Sequence, residues 1–175
     1  MINEKIEKML FENKETLVIP LDNISMVFAD NSLLHAIMVL NNTVYTSIPV
    51  LDYQYKLVGL ISTNQIFKFL GEEINEGFEV LEKYKVRDAV DQNYYAVSEH
   101  FELEEVIRGL INNNYLCVVD NQHTLKGIIP RSSLLKRFNY MAHELDKNYI
   151  IKPKNPKLYH GGQFDKNYEN YFTIK

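Results

Sequence analysis

Two places in the sequence combine the residue types that hold a phosphate group. At Ser62-Thr63 and at Pro130-Arg131-Ser132, an apolar run of strand character ends and a helical pattern begins. Free backbone amides and the positive end of a helix gather at such a junction and favour an anion. Arg131 adds a permanently charged, forked donor that suits phosphate. The alternative is that Arg131 is an exposed residue at a helix start with no ligand, since surface arginines are common.

Catalysis and metal binding have little support elsewhere in the chain. The five histidines lack the spacing of a metal site, and Cys117, the one cysteine, lies in an apolar run typical of a buried strand. Glu72-Glu73 and Glu104-Glu105 lie on helical faces, where solvated charge is the simplest interpretation. The sequence contains no Gly-x-Gly-x-x-Gly, Walker or nucleophile-elbow motif. We therefore predict no catalytic residue, no metal, no cofactor and no enzymatic activity.

The composition narrows the range of partners. The 175 residues are 46% hydrophobic and 24% charged, as in ordinary folded proteins, and the formal net charge is -4. Such a chain has no general attraction for nucleic acids or anionic membranes, and its basic residues between 126 and 157 are interspersed with acidic ones. No apolar run approaches the ~20 residues needed to cross a bilayer. We expect a cytoplasmic protein with no membrane attachment and no nucleic-acid partner.

An internal repeat organises the chain. The runs Ile48-Pro49-Val50-Leu51-Asp52 and Leu116-Cys117-Val118-Val119-Asp120 lie 68 residues apart. The same offset carries Leu57, Gly59 and Ile61 onto Leu125, Gly127 and Ile129. The helical patterns upstream, which begin at 33 and at 103, align at an offset of 70. Two units of about 60 residues, each too small for a large core, therefore share one order of elements.

Each unit is predicted to contain a strand, a helix, two strands and a second helix, which is a mixed α/β fold. Short apolar runs joined by five-residue turns predict strands at 47–51, 57–62, 115–119 and 125–129. Helical spacing follows Asn31-Ser32 and Glu102, and it occurs again at 63–70 and 131–145. The predicted units are a leading helix (1–15), a first repeat (16–71), a linker helix (72–85), a second repeat (86–148) and a tail (149–175).

The tail differs from the rest of the chain in composition. It is rich in aromatic residues, contains two prolines and a Gly161-Gly162 pair, and has no apolar periodicity. A flexible extension and a docking segment are both compatible with that composition.

The doubled pattern resembles a known module. The run Ile48-Pro49-Val50-Leu51-Asp52, a short turn, a strand at 57–62 and the helix after it are similar to the cystathionine-β-synthase (CBS) domain. The resemblance covers about residues 16–140, as a tandem pair or Bateman module. In detail, the segment 45–64, Asn112-Asn113 and Cys117-Val118-Val119 are similar to the stand-alone cyclic-di-AMP-binding CBS proteins of the CbpB/DarB type. Proteins of that type bind a partner enzyme in one ligand state and release it in the other.

The resemblance implies a regulatory sensor that controls a protein partner. Its ligand would be an adenine nucleotide, with cyclic di-AMP as the leading candidate, bound in the cleft between the repeats. Strand-edge backbone groups and apolar walls would contact adenine, and the strand–helix junctions would contact phosphate. The implied ligand-binding residues are Asn23, Ser25, Val27, Tyr45, Thr46, Ser47, Ile48, Thr63, Arg131 and Ser132.

Two departures from the family pattern leave other functions open. CBS domains that bind AMP or ATP usually carry an Asp at the first turn of the last helix, where this chain has Gln65 and Ser133. The cyclic-di-AMP type often has two consecutive arginines, where this chain has Arg131-Ser132. The first departure favours cyclic di-AMP, whose ribose 3′ oxygens are esterified. The alternatives are an AMP or ATP sensor and a ligand-free CBS scaffold that only binds other proteins.

Apolar helix faces predict assembly. CBS pairs usually cover such faces with a second copy, and this chain has two matching faces, Ile66-Phe67-Leu70 and Leu134-Leu135-Phe138. A two-fold contact between them would give a homodimer.

Overall fold

The two repeats fold with the same order of elements, as the sequence predicts. The computed structural model describes residues 17–148, without the side chains of Asp146 and Asn148, so the predicted leading helix and tail lie outside it. Strand β1 (Ile19–Pro20) and a 3-10 turn (Leu21–Asn23) come first. The first repeat continues with β2 (Val27–Phe28), α1 (Leu33–Asn41), β3 (Ser47–Leu51), β4 (Leu57–Ser62) and α2 (Thr63–Leu70).

A linker that is helical only in part leads to the second repeat. It contains a 3-10 helix (Gly71–Glu76) and α3 (Val80–Lys83), which are separated at Gly77. The φ angle of Gly77 is 99°, which no right-handed helix accommodates, so the predicted linker helix is interrupted there. The second repeat comprises α4 (Val86–Ala89), β5 (Ala96–Ser98), α5 (Leu103–Asn112), β6 (Tyr115–Val119), β7 (Leu125–Pro130) and α6 (Arg131–Asn148).

Side-chain caps and apolar spacing set the helices of the first repeat. The Ser32 hydroxyl accepts a hydrogen bond from His35 N at 3.2 Å, and so caps α1 as the sequence predicts. Leu33, Ala36 and Leu40, spaced by three and four residues, are the buried face of α1. In the described part of the chain, no helix combines the length and apolar character needed to cross a bilayer.

The two sheets share one arrangement, but the second has an additional strand. In the first sheet β3 is central, parallel to β2 and antiparallel to β4. In the second sheet β6 is parallel to β5 and antiparallel to β7. β1 then pairs antiparallel with β7, with Ile19 opposite Ile128. A segment that precedes the first repeat therefore completes the sheet of the second.

The first sheet receives the converse contact. Asp91, which precedes β5 of the second repeat, donates its N–H to Leu60 O at 2.8 Å and accepts from Leu60 N at 2.9 Å. Both approaches require glycine, because a Cβ at Gly59 would overlap the carbonyl of Asp91, and one at Gly127 would overlap the carbonyl of Ile19. Each repeat thus holds the segment that leads into the other.

The hydrophobic core has one part inside each repeat and a third part shared by both. The shared cluster contains Leu51, Leu57, Tyr115, Cys117, Val119, Leu125 and Ile128. Cys117 is 1% exposed, and burial raises the pKa of its thiol to about 12. Its side chain is therefore a small hydrophobic core group, as the sequence indicates.

Most of the helix faces predicted to mediate dimerisation belong to the core of the single chain. Ile66 and Leu134 are buried, as is Leu70, since the helices use these residues to cover their own sheets. Phe67 and Leu135, which occupy equivalent positions 68 residues apart, are 45% and 59% exposed. Any two-fold contact on these helices must therefore use a narrower strip than the sequence indicates.

Replacing Gly127 with alanine tests the exchange of segments between the repeats. The new Cβ would displace β1 from β7, so Gly127→Ala should lower the free energy of unfolding by about 1 to 3 kcal/mol. Gln122→Ala, an exposed change in the turn before β7, should alter it by less than about 0.5 kcal/mol. Urea denaturation measures both values, and equal stability of the two variants would show that the close approach is not required.

Candidate functional site

A cavity of about 610 Å³ lies where β4 runs into α2, one of the two junctions at which the sequence predicts phosphate binding. Its volume is within the range of small-molecule sites. Leu60 and Asp91 contribute to the wall, and the other lining residues carry hydroxyl or carboxamide groups. These are Thr46, Ser47, Ser62, Thr63, Asn64, Gln65, Asn93 and Asn113. We name this space the β4–α2 cavity.

A chain of hydrogen bonds orients one wall of the β4–α2 cavity. The Ser62 hydroxyl donates to Gln65 Oε1 at 2.9 Å, and Gln65 Nε2 donates to Asp91 Oδ2 at 2.8 Å. Asn93 N donates to the other carboxylate oxygen, Asp91 Oδ1, at 2.8 Å. Among residues 17–148, no three His, Cys, Asp or Glu side chains lie close enough to hold a metal ion. The wall therefore offers hydrogen bonds to an organic ligand.

The two repeats meet beside this cavity through residues that the repeat makes equivalent. The Ser47 hydroxyl donates to the Tyr115 hydroxyl at 3.3 Å, and Asn114 Nδ2 donates to Thr46 Oγ1 at 3.4 Å. The ring of Tyr45 packs edge-on against that of Tyr115, with their centroids 5.6 Å apart. Burial is the main cause that raises the pKa of Tyr115, so its hydroxyl keeps its proton at neutral pH. This polar seam holds the repeats in register.

Arg131 begins α6, as the sequence predicts, but it does not line the β4–α2 cavity. Its Nε and Nη2 donate to the Asn113 carbonyl at 3.2 and 2.8 Å, and Nη2 also reaches the Ile111 carbonyl at 3.5 Å. These carbonyls lie at the end of α5, where the last carbonyls lack helical partners. Within the described part of the chain, Nη1 makes no hydrogen bond. Arg131 thus closes the end of α5 and keeps one nitrogen for another group.

The structure brings three of the ten predicted residues to the β4–α2 cavity, namely Thr46, Ser47 and Thr63. Val27 and Ile48 are each 1% exposed and pack in the core of the first repeat. Their side chains are inward-facing strand residues and do not line the cavity, although the sequence predicts them as its apolar walls. Tyr45 lies at the seam.

The remaining predicted residues lie toward the other strand–helix junction, formed by β7 and α6. Ser132 is exposed in the first turn of α6, next to Arg131. Asn23 is exposed, and Ser25 is half-buried, in the segment that follows β1 along β7. We name this place the β7–α6 junction. The predicted set is therefore divided between two places that the repeat makes equivalent.

Asp91 and Asn93 of the cavity wall are absent from the sequence prediction. They belong to a loop that carries no motif and is distant in sequence from the residues it meets. The one available signal was Gly59, because a glycine within a strand indicates the close approach of another backbone. The glycine does not identify the approaching segment.

Two units of this strand and helix order, with exchanged edge segments and clefts at their seam, define a tandem pair of CBS domains. The chain belongs to the CBS domain family, whose model matches residues 18–72 and 86–140. This confirms the family that the sequence resembles.

The particular relatives are bacterial proteins linked to cyclic di-AMP. The chain is 31% identical to cyclic di-AMP receptor B of Bacillus subtilis over 147 residues, which are 84% of this chain and 100% of that protein. It is 35% identical to CbpB of Listeria monocytogenes, solved in complex with c-di-AMP, with a TM-score of 0.65 over 72% of this chain and 94% of that one. CbpB from Streptococcus agalactiae, 22% identical, has the same fold, with a TM-score of 0.78 over 87% of this chain and 96% of that one.

The contacts of Arg131 predict a structural role that its position at a helix start does not. Arg131→Ala should lower the free energy of unfolding by about 1 to 2 kcal/mol, because the half-buried Asn113 carbonyl loses its charged donor. Lys136→Ala, an exposed change on the same helix, should cost less than about 0.5 kcal/mol. Thermal and urea denaturation of both variants measure the difference, and an unchanged Arg131→Ala protein would refute this role.

Proposed function

We propose that this chain is a regulatory protein without catalytic activity that binds cyclic di-AMP and transmits its ligand state to a protein partner. The observation that carries the proposal is the alignment with cyclic di-AMP receptor B, which spans that protein's entire length at 31% identity. The solved complex of the 35% identical CbpB with c-di-AMP supports the same ligand. The two CBS domains together account for both alignments.

The chemistry of the β7–α6 junction supports it as the place for the phosphates. A cyclic dinucleotide carries two phosphate charges, and their release from water must be offset by charged donors. Arg131 begins α6 there, with Nη1 unengaged in the described part of the chain and the positive helix end beside it. Ser132 adds an exposed hydroxyl in the same turn.

The adenine-contacting residues are proposed from the seam and from the segment beside β7. The register of Ile19 with Ile128 brings the segment that contains Asn23 and Ser25 alongside that strand. Tyr45 contributes an aromatic ring, and Thr46 a hydroxyl, where the repeats meet. We propose that their backbone and side-chain groups contact the base, while Arg131 contacts phosphate.

Ligand titration tests the proposal. We expect cyclic di-AMP to bind about tenfold or more tightly than AMP or ATP, a difference of about 1.4 kcal/mol. Arg131→Ala should weaken that binding by about 1.5 to 3 kcal/mol, the range for hydrogen bonds to charged groups. Lys136→Ala is the matched control and should leave the affinity within about 0.5 kcal/mol.

Isothermal titration calorimetry distinguishes the alternatives. Equal affinity for the three nucleotides would indicate a general adenylate sensor. Absence of binding to any of them would indicate a ligand-free scaffold that only binds proteins. Equal affinities of the Arg131→Ala and Lys136→Ala proteins for cyclic di-AMP would remove the phosphate role assigned to Arg131.

A homodimer is the proposed assembly. Phe67 and Leu135 are exposed apolar side chains at equivalent positions of α2 and α6, and a two-fold contact would cover both. Light scattering at micromolar concentration should therefore give twice the chain mass of 20.6 kDa, and Phe67→Glu with Leu135→Glu should reduce it to one chain. A single-chain mass for the unaltered protein would contradict this assembly.

A further inference from the structure

The two junctions that the repeat makes equivalent differ in charge. At an offset of 68, Thr63 occupies the position that Arg131 occupies in the second repeat. Asp91 corresponds to Ile19, because Asp91 pairs with Leu60 and Ile19 pairs with the equivalent residue Ile128. The β4–α2 cavity therefore contains a carboxylate where the β7–α6 junction has an aliphatic side chain, and it lacks the arginine.

The charge balance of the β4–α2 cavity is negative. None of its described lining residues is Lys, Arg or His, and Asp91 is the one charged side chain among them. The start of α2 contributes only about half a positive charge, and the Ser62 hydroxyl already accepts from Gln65 N at 3.2 Å. A phosphate group in this cavity would meet the full charge of Asp91, and the repulsion is stronger where water is partly displaced.

The same wall suits an uncharged ligand with adjacent hydroxyl groups. Each oxygen of Asp91 accepts one hydrogen bond, from Gln65 Nε2 and from Asn93 N, both at 2.8 Å. A carboxylate has about four acceptor sites, so each oxygen can accept one more donor. Two neighbouring hydroxyls of a ribose present two donors at that spacing. The carboxamides of Asn64 and Asn113 add donors and acceptors for a base.

We propose that the β4–α2 cavity binds an uncharged ribonucleoside, and that Asp91 both accepts its ribose hydroxyls and rejects its 5′-phosphate. This second site is separate from the β7–α6 junction and extends beyond the sensing of cyclic di-AMP. One chain can then respond to two ligands of opposite charge preference.

The test is calorimetric titration with adenosine, 2′-deoxyadenosine and AMP. All titrations use the full chain carrying Arg131→Ala, so that the cation of the other junction does not contribute and the outcome does not depend on cyclic di-AMP binding. Adenosine should bind about tenfold or more tightly than either of the other two compounds. Absence of adenosine binding, or equal affinity for adenosine and AMP, would overturn the proposal.

Variants of the cavity wall assign the preference to Asp91. Adding Asp91→Asn should reduce the preference for adenosine over AMP by about tenfold, since it removes the charge and keeps the shape. Thr63→Arg, which copies the cation of the second repeat into the first, should reverse the preference and provides a test that does not alter Asp91. Glu82→Gln, an equal loss of charge at an exposed position of α3, should change nothing. An undiminished preference in the Asp91→Asn protein would refute the role of that carboxylate.

Discussion

The exchange of edge segments between the repeats is the contact on which the rest of the structure depends. Each unit of about 60 residues is too small to bury a large core, so its sheet must be completed by the other unit. β1 supplies that edge to the second repeat and Asp91 supplies it to the first. Both backbones approach so closely that only Gly59 and Gly127 fit beneath them. The shared apolar cluster and the polar seam of Ser47 and Tyr115 then hold the two sheets together.

The exchange also creates the functional surfaces. The loop that enters the second repeat crosses the end of β4 and closes the β4–α2 cavity, with Asp91 and Asn93 in its wall. Because the same geometry is used twice, the chain has two comparable places for a ligand. Their difference lies in side chains alone, with Thr63 opposite Arg131 and Asp91 opposite Ile19. The duplicated fold thus keeps the backbone constant while charge determines which ligand each place suits.

Arg131 illustrates how structural and binding roles combine in one side chain. Two of its nitrogens satisfy carbonyls at the end of α5, which ties that helix to the start of α6. A guanidinium has five N–H donors in a planar fork, so these contacts leave Nη1 with its two donors. A lysine could not divide its donors with that fixed geometry. Gln65 has a similar double function, since it links the Ser62 cap of α2 to the carboxylate of Asp91.

The sequence by itself determined the features that depend on neighbouring residues. The doubled strand and turn pattern, the Ser32 cap, the burial of Cys117 and the start of α6 at Arg131 all follow from local periodicity, capping and composition. The family also followed from sequence, because its motifs are short continuous runs that occur twice. Three of the predicted ligand residues reached one cavity for the same reason, since strand ends adjoin helix starts along the chain.

Only the tertiary structure decided the features that depend on which distant segments meet. Nothing local indicates that β1 joins the second sheet or that Asp91 lies over Gly59, because register between separate segments is set by packing of the whole chain. The same cause placed Val27 and Ile48 in the core, where apolar strand residues face the helices that cover their own sheet. It also buried Ile66 and Leu134, which in sequence look no different from exposed Phe67 and Leu135. Periodicity identifies an apolar face, but the neighbour that covers it is chosen by the fold.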